Sequence, residues 1–437
     1  MSHHSEPVHR DPISNGHFLL SKISVHDDLA SGHPDIISVK RLQEIFPDLL
    51  IGDALMADAL KKLYSAERFS AFVAAIDGIA QLIDPNDAII SLAGVLESLC
   101  GSFSGFWGLM DHGLLACFLP GKDEADCRKA ALMLQETLSR TRNETISIGI
   151  AAYPTIAYKK NQILENAKKA LDHAAFFGPG SCVAFDSVSL NISGDKYYQN
   201  GDLDGALGEF MLALKLDENN VNVHNSIGVC YGIKNQLDNA LDAFKTAIRL
   251  DPNDIMPVYN AGYVHFLKHE HAEALEYFLN AGRIDGSVFE LAIQTGRVYL
   301  ELNQPVPAKK HLEIATRMNP KSAAAFRLFG ESCAIQDLIS EATAAYKTCL
   351  KLNPDDCAAQ SALGFLYEMQ EQNSDIALML CKQAAETEPD TGLYSHRLGR
   401  LYMNRKHYNE ALVAFRKATD AGFDSSDYTM QTLKLMK

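Results

Sequence analysis

Side chains able to hold a metal ion or move a proton are scattered through this chain. Asp77, Asp111 and His112 offer oxygen and nitrogen ligands, and Asp111 and His112 sit in a short turn between two apolar stretches, residues 103–110 and 114–119. Such a trio could hold a divalent cation. Surface aspartates and turn histidines are common without any metal, however, so no metal site, cofactor or catalytic residue is expected from them. Six histidines lie near the start, at positions 3, 4, 9, 17, 26 and 33, with irregular spacing and no cysteine or carboxylate cage. Residues 1–36 are polar and punctuated by proline and glycine, and a disordered, solvated tail is expected there. The nine cysteines are scattered singly with no CxxC pair, which suits free thiols acting as small hydrophobes in a reducing compartment.

Composition excludes several function classes. A net charge of −15 over 437 residues argues against a nucleic-acid backbone or an anionic membrane surface as principal partner. No run approaches the eighteen apolar residues of a membrane span, and the start lacks the apolar stretch of a signal peptide. A cytoplasmic protein is expected.

Between residues 37 and 186 the elements that would position Asp77 and Asp111 read as α/β. Residues 38–46 and 53–64 have helical patterning, with Leu55, Ala59, Leu60 and Leu63 on one face of the second. Residues 69–76 read as a buried strand, 88–100 as a helix, and 103–110 and 114–119 as two strands about a turn. A helix over 123–140, a strand over 145–152, a helix over 161–177 and a last strand over 182–185 complete a mixed sheet flanked by helices.

From residue 187 the chain repeats itself. Gly194, Gly228, Gly262, Gly296, Gly330 and Gly364 are each 34 apart and Gly399 follows after 35. Ala206, Ala240, Ala274, Ala308 and Ala342 stand twelve residues beyond the first five, and Ala377 stands thirteen beyond the sixth, which places one inserted residue within 368–375. A third series runs Ala213, Ala247, Ala281, Ala315, Cys349, Ala384 and Ala418, and prolines at 252, 320, 354 and 389 close four units. Small residues in fixed registers let two antiparallel helices approach closely, larger ones such as Phe210, Phe244, Phe278, Tyr346 and Phe415 fill the space, and stacking supplies the core that no single unit can bury.

This period and its order of small, aromatic, small and proline positions resemble the tetratricopeptide repeat (TPR), seven times over residues 187–425, with a capping segment at 426–437. The resemblance implies an all-α superhelix (an α-solenoid) whose first helices line a concave groove. Family groove positions then fall on Asn225, Tyr259, Tyr263, Phe266, Arg297, Arg327, Phe365 and Arg400, together with Val229, Ile293, Glu331, Glu368 and His396. Aromatics beside arginines are common makings of a binding hot spot. Asn191 and Asn225 occupy a position that chaperone-binding TPRs use for a carboxylate clamp, but the accompanying lysines are missing.

Ser147-Ile148-Gly149-Ile150-Ala151 followed by Tyr153-Pro154 resembles the late strand of GGDEF domains, the diguanylate cyclase family. Ala167, Ala170-Leu171, Ala174, Gly178 and Val183-Ala184-Phe185 match the ending of that family. Asp58, Leu60, Leu63 and Phe69 are similar to its opening segment, and residues 115–120 to the strand leaving its signature hairpin. The chemistry does not carry over. The signature falls on Asp111-His112-Gly113-Leu114-Leu115, so the family's metal carboxylates become Gly113 and Leu114, and the first-strand carboxylate becomes Ala75. The guanine-contacting asparagine aligns with Ile83, and phosphate-facing lysines align with Ala80 and Ala175. Asp77 is retained, and Asp87 matches the guanine-reading aspartate across a deletion. The product-binding inhibitory motif falls on Ser102-Phe103-Ser104-Gly105 and is absent. A cyclase needs carboxylate-held metal to neutralise phosphate and activate the ribose hydroxyl.

The expectation is a multidomain chain: a GGDEF-like α/β domain without its active site, then a TPR superhelix. Its role would be a non-catalytic scaffold whose groove binds a partner protein or peptide, with no nucleic acid, no membrane span and no nucleotide ligand. The alternative is a nucleotide-signalling protein whose α/β domain still binds GTP or cyclic di-GMP, or acts as a cyclase.

Overall fold

Every residue of β1 (Phe69–Ile76) is buried, as a strand covered by helices on both faces requires. The structure is a computed structural model that describes Phe18, Leu19 and residues 38–111 and 113–437. The remainder of the expected tail over 1–36, and His112, lie outside the described residues.

β1 is the middle strand of a five-stranded sheet in the order β2-β3-β1-β4-β5. β2 (Phe106–Asp111) and β3 (Leu114–Pro120) form a hairpin, and β3 pairs antiparallel with β1, Ala74 facing Leu115. On the other side β4 (Ile146–Tyr153) runs antiparallel to β1, and β5 (Cys182–Ala184) runs parallel to β4. Alternation along β1 divides the core. Phe72, Ala74 and Ile76 join Leu42 of α1 (Val39–Ile45), residues of α3 (Pro85–Ser102) and residues of α4 (Glu124–Ser139) on one face. Phe69, Ala71, Val73 and Ala75 join α2 (Gly52–Lys62) and α5 (Ile163–Ala174) on the other. The layer on that second face is tight. A Cβ on Gly149 would lie 2.0 Å from the Ala167 carbonyl oxygen and 2.2 Å from the Leu171 nitrogen, so at this position the close approach of β4 to α5 requires glycine.

Several boundaries shift by one to three residues from the sequence reading, two of them for clear local reasons. α3 starts at Pro85 because the Asp84 carboxylate accepts the Asp87 N–H and proline suits the first turn. β2 begins at Phe106 rather than 103, since the Phe103 N–H closes α3 on the Leu99 and Cys100 carbonyls, and Ser104 then takes φ 53.

The described chain divides into two compact units, one extending to Asp251 and the other running from Pro252 to Lys437 with Phe18 and Leu19. The first unit continues past the sheet into two helical hairpins, α6 (Ser187–Gln199) with α7 (Leu203–Leu216) and α8 (Val221–Ile233) with α9 (Leu237–Leu250). Asp186 accepts the Ser189 N–H at 2.8 Å and so starts α6 directly behind β5. Lys169 of α5 meets Glu209 of α7, and Lys196 of α6 meets Asp172 of α5 at 2.8 Å.

Five hairpins make up the second unit. They are α10 (Ile255–Leu267) with α11 (His271–Ile284), α12 (Phe289–Glu301) with α13 (Pro305–Met318), α14 (Ala323–Ile335) with α15 (Ile339–Leu352), α16 (Cys357–Met369) with α17 (Ser374–Thr387), and α18 (Gly392–Asn404) with α19 (Tyr408–Asp420). α20 (Ser426–Leu435) follows them.

In both units the 34-residue register has one physical cause. In six of the seven hairpins the repeat glycine of the first helix lies against a large residue of the second: a Cβ on Gly228 would fall 2.5 Å from Phe244, and one on Gly296 2.4 Å from Leu312; Gly364 instead meets the Ala377 carbonyl oxygen at 2.7 Å and Cys381 at 2.8 Å. A further register was not read from the sequence. Gly201, Asn235, His269, Asn303, Asp337, Glu371 and Lys406 all have positive φ and end the first helices. The next residue returns its N–H to the carbonyl five back, as Gln236 does to Tyr231 at 2.8 Å and Gln304 to Tyr299 at 2.8 Å, which is a left-handed C-terminal cap. The extra residue in the sixth unit is absorbed in the same turn, where Asn373 also takes positive φ.

Candidate functional site

The polar residues of the sheet domain are engaged in holding the fold. Asp77 follows β1 and accepts from Thr145 Oγ1 at 2.7 Å, Ser147 Oγ at 2.6 Å and the Gly180 N–H at 2.7 Å, tying three chain segments together. Asp111 faces Lys168 at 3.6 Å. Asp87 is bound by Arg142 at 2.6 Å, and Arg142 also binds Glu144 at 2.9 Å; this hydrogen bonding raises the guanidinium further above its usual range and lowers Glu144. Gly113 has φ 89 at the hairpin turn. Leu114 and Ala75, 2% and 5% exposed, belong to the apolar face shared with α2 and α5, while Ile83 is fully exposed. Among the described residues no group of three His, Cys, Asp or Glu could hold a metal ion.

The residues expected in a groove fall in both units. Asn225, on α8 of the first, is buried. In the second unit α10 carries Tyr259, Tyr263 and Phe266 as a stacked series, with ring centroids 6.5 Å apart for the first pair and 6.2 Å for the second. Arg297 of α12 lies over the Phe266 ring at 5.0 Å. Tyr259 is completely buried, packed on Phe278 of α11 at 5.4 Å, so it belongs to the hairpin core and presents no surface to a partner. Arg327 is also withdrawn: it is buried and paired with Asp356 at 3.4 Å, while Asp356 caps α16. Arg400 sits between Phe365 at 4.4 Å and Tyr428 of α20 at 5.2 Å, so the final helix covers this second aromatic–arginine pair.

The first cluster is occupied by the chain itself. Leu19 donates its N–H to Asn260 Oδ1 at 2.8 Å, and Asn260 Nδ2 donates to the Leu19 carbonyl oxygen at 2.8 Å. Phe18 stands edge-on to Tyr263, centroids 5.0 Å apart at 86°, and is 8% exposed. The expectation of a solvated tail therefore fails at these two residues: a polar segment still gains by burying one aromatic ring when its backbone groups are paired at the same place. Burial pushes the Tyr263 hydroxyl up to about 12, with Arg297 acting in the opposite direction.

Asn260 was missed by the sequence reading. It stands one position from the expected stripe and is completely buried. The available signal was a single amide in an otherwise apolar helix between Tyr259 and Tyr263, since a buried amide needs partners.

Three segments match family profiles: residues 221–254 and 394–421 match those described as tetratricopeptide repeat, and 194–232 matches one described as TPR repeat. These segments are tetratricopeptide repeats. Similar solved structures include YrrB, described as a TPR protein with an unusual peptide-binding site, 25% identical, covering 43% of this chain and 96% of that chain with a TM-score of 0.39. Pseudomonas aeruginosa pilF is 18% identical, covering 48% of this chain and 94% of that chain at a TM-score of 0.44. MamA from Desulfovibrio magneticus RS-1 is 20% identical, covering 38% and 94% at 0.36. No curated protein matches the chain. The TPR hairpins support a protein–protein interaction role, because stacked helix pairs present extended surfaces to partners. No helix among the described residues is long and apolar enough to cross a membrane.

Proposed function

We propose that this chain is a non-catalytic interaction scaffold whose TPR groove captures an extended peptide segment of a partner protein, and whose sheet domain is a GGDEF-like adaptor without a nucleotide site. The observation that carries the first part is the pair of hydrogen bonds between Asn260 and one residue's backbone. An amide side chain that satisfies both the N–H and the C=O of a residue reads an extended main chain regardless of its side chain, as a neighbouring strand would. Tyr263, Phe266 and Arg297 beside it then supply side-chain preference: an aromatic wall and a planar donor suited to a carboxylate.

The adaptor reading draws support from the hairpin that carries Asp111 and Gly113 and from what occupies the positions where a cyclase would hold metal. Leu114 and Ala75 are core residues. Asp77 and Asp87 already have hydrogen-bond and ion-pair partners within the fold. A nucleotide-binding reading would have to release these carboxylates from roles that hold the strands together.

The groove is tested with a displayed peptide library screened against the full chain. Binders should lose about tenfold or more in affinity on Asn260→Ala while the melting temperature stays near that of the parent, as expected for two backbone hydrogen bonds. Binders indifferent to Asn260, Tyr263 and Arg297 alike would reject this groove as the site.

A further inference from the structure

The site around Asn260 already shows what chemistry it takes. Phe18-Leu19-Leu20 is the first run of three consecutive apolar residues in the chain, set within polar sequence. Two of these residues lie in the groove, and Leu19 is 241 positions away from Asn260, which clamps it. Phe18 fills the place beside Tyr263, and the backbone of the following residue is held at both its polar groups. Asn260 itself is completely buried, so its amide would be costly to leave unpaired.

We infer that Phe18-Leu19 is a built-in ligand. The groove is a site for an extended segment carrying an aromatic–aliphatic pair, and the chain's own pair occupies it in cis until a partner bearing the same chemistry displaces it. This rests on the reading of the groove as a peptide site and adds its ligand class and its regulation. The occupancy is suited to exchange. A two-residue segment makes a small contact, and a ligand carried on the same chain acts at an effective concentration of at most about millimolar. A resident of that strength lowers the apparent affinity of an incoming segment several-fold without blocking it.

The test uses the full chain and a fluorescein-labelled synthetic peptide spanning residues 12–26, which contains Phe18 and Leu19. Phe18→Ser with Leu19→Ser empties the site and leaves every groove residue intact. The peptide should bind this variant at least about fivefold more tightly than the parent chain. Adding Asn260→Ala to the variant should remove that binding while the melting temperature is kept. Hydrogen exchange gives a second readout: the Leu19 amide should be protected in the parent and should exchange freely after Phe18→Ser, and this comparison stands even if the Asn260 variant fails to fold. Equal peptide affinity for parent and emptied chain, still dependent on Asn260, would overturn the built-in ligand and leave the groove reading standing. No peptide binding to either chain, with the Leu19 amide unprotected, would overturn both. Protection of Leu19 that disappears on dilution together with a dimer in sedimentation would place the segment of a second copy in the groove, and so overturn occupancy in cis.

Discussion

Lys169 Nζ lies 2.7 and 2.8 Å from the two carboxylate oxygens of Glu209, with the side chains only 10% and 14% exposed. The pair joins the last long helix of the sheet domain to the first TPR hairpin. Removing one partner strands a charge with little water around it. Glu209→Leu alone should therefore lower stability by about 2–4 kcal/mol, and Lys169→Met with Glu209→Leu should recover much of the loss. Thermal melts of both single variants and the double variant measure the coupling; additive losses would mean that the pair holds nothing together.

Asp195 of α6 is buried with Asn191 Nδ2 donating to it at 3.3 Å, and burial pushes its carboxyl from 3.8 up to about 7. Well below its ordinary value of 3.8 the group is protonated whether the chain is folded or not, and costs nothing. As pH rises the unfolded chain ionises first, so this group's contribution falls until about pH 7 and stays low above it. Asp195→Asn should thus stabilise the first unit by about 2–4 kcal/mol at pH 8 and leave it almost unchanged at about pH 4. Chemical denaturation at the two pH values reads the difference directly.

Gly149→Ala should be among the most damaging single substitutions in the sheet domain. Its methyl group would overlap main-chain atoms of Ala167 and Leu171, and backbone cannot move aside as a flexible side chain can. A loss of about 3 kcal/mol or more is expected. Gly208→Ala, where a Cβ meets nothing within 4 Å, is the control and should be neutral or mildly stabilising through helix propensity.

Purified protein incubated with GTP and Mg²⁺ or Mn²⁺ should form no cyclic dinucleotide above a no-protein control. Leu114, Gly113 and Ala75 offer no carboxylate or other side-chain oxygen for a metal, which removes both charge neutralisation and activation of the nucleophile. Product formation abolished by Asp77→Asn in a chain that keeps its melting temperature would reverse the adaptor reading.

The sequence alone determined the repeats, because their cause is local and recurs. Each glycine must admit its own hairpin's second helix at close range, so the register is written into every unit, Gly228 against Phe244, Gly399 against Phe415 and Gly364 against Cys381. It also indicated β1, whose eight residues are apolar but for Ser70, a short run rich in small and β-branched or aromatic residues that suits a strand buried on both faces. The left-handed helix ends were harder to see: glycine, asparagine, histidine, aspartate, glutamate and lysine all serve at that position, and backbone geometry rather than one side chain defines the cap. Only the tertiary structure decided which stripe residues face a ligand. Tyr259 and Tyr263 share a helix face by spacing, yet Phe278 covers the first and Phe18 reaches the second. Arg327 holds a groove position by spacing, yet it is buried beside Asp356. The clamp on Leu19 joins residues 241 apart, and no periodicity reports a contact between a segment outside the repeats and a single amide within them. It forms because a buried asparagine amide and a residue of extended main chain each present an N–H and a C=O side by side, and only the folded chain brings these groups together.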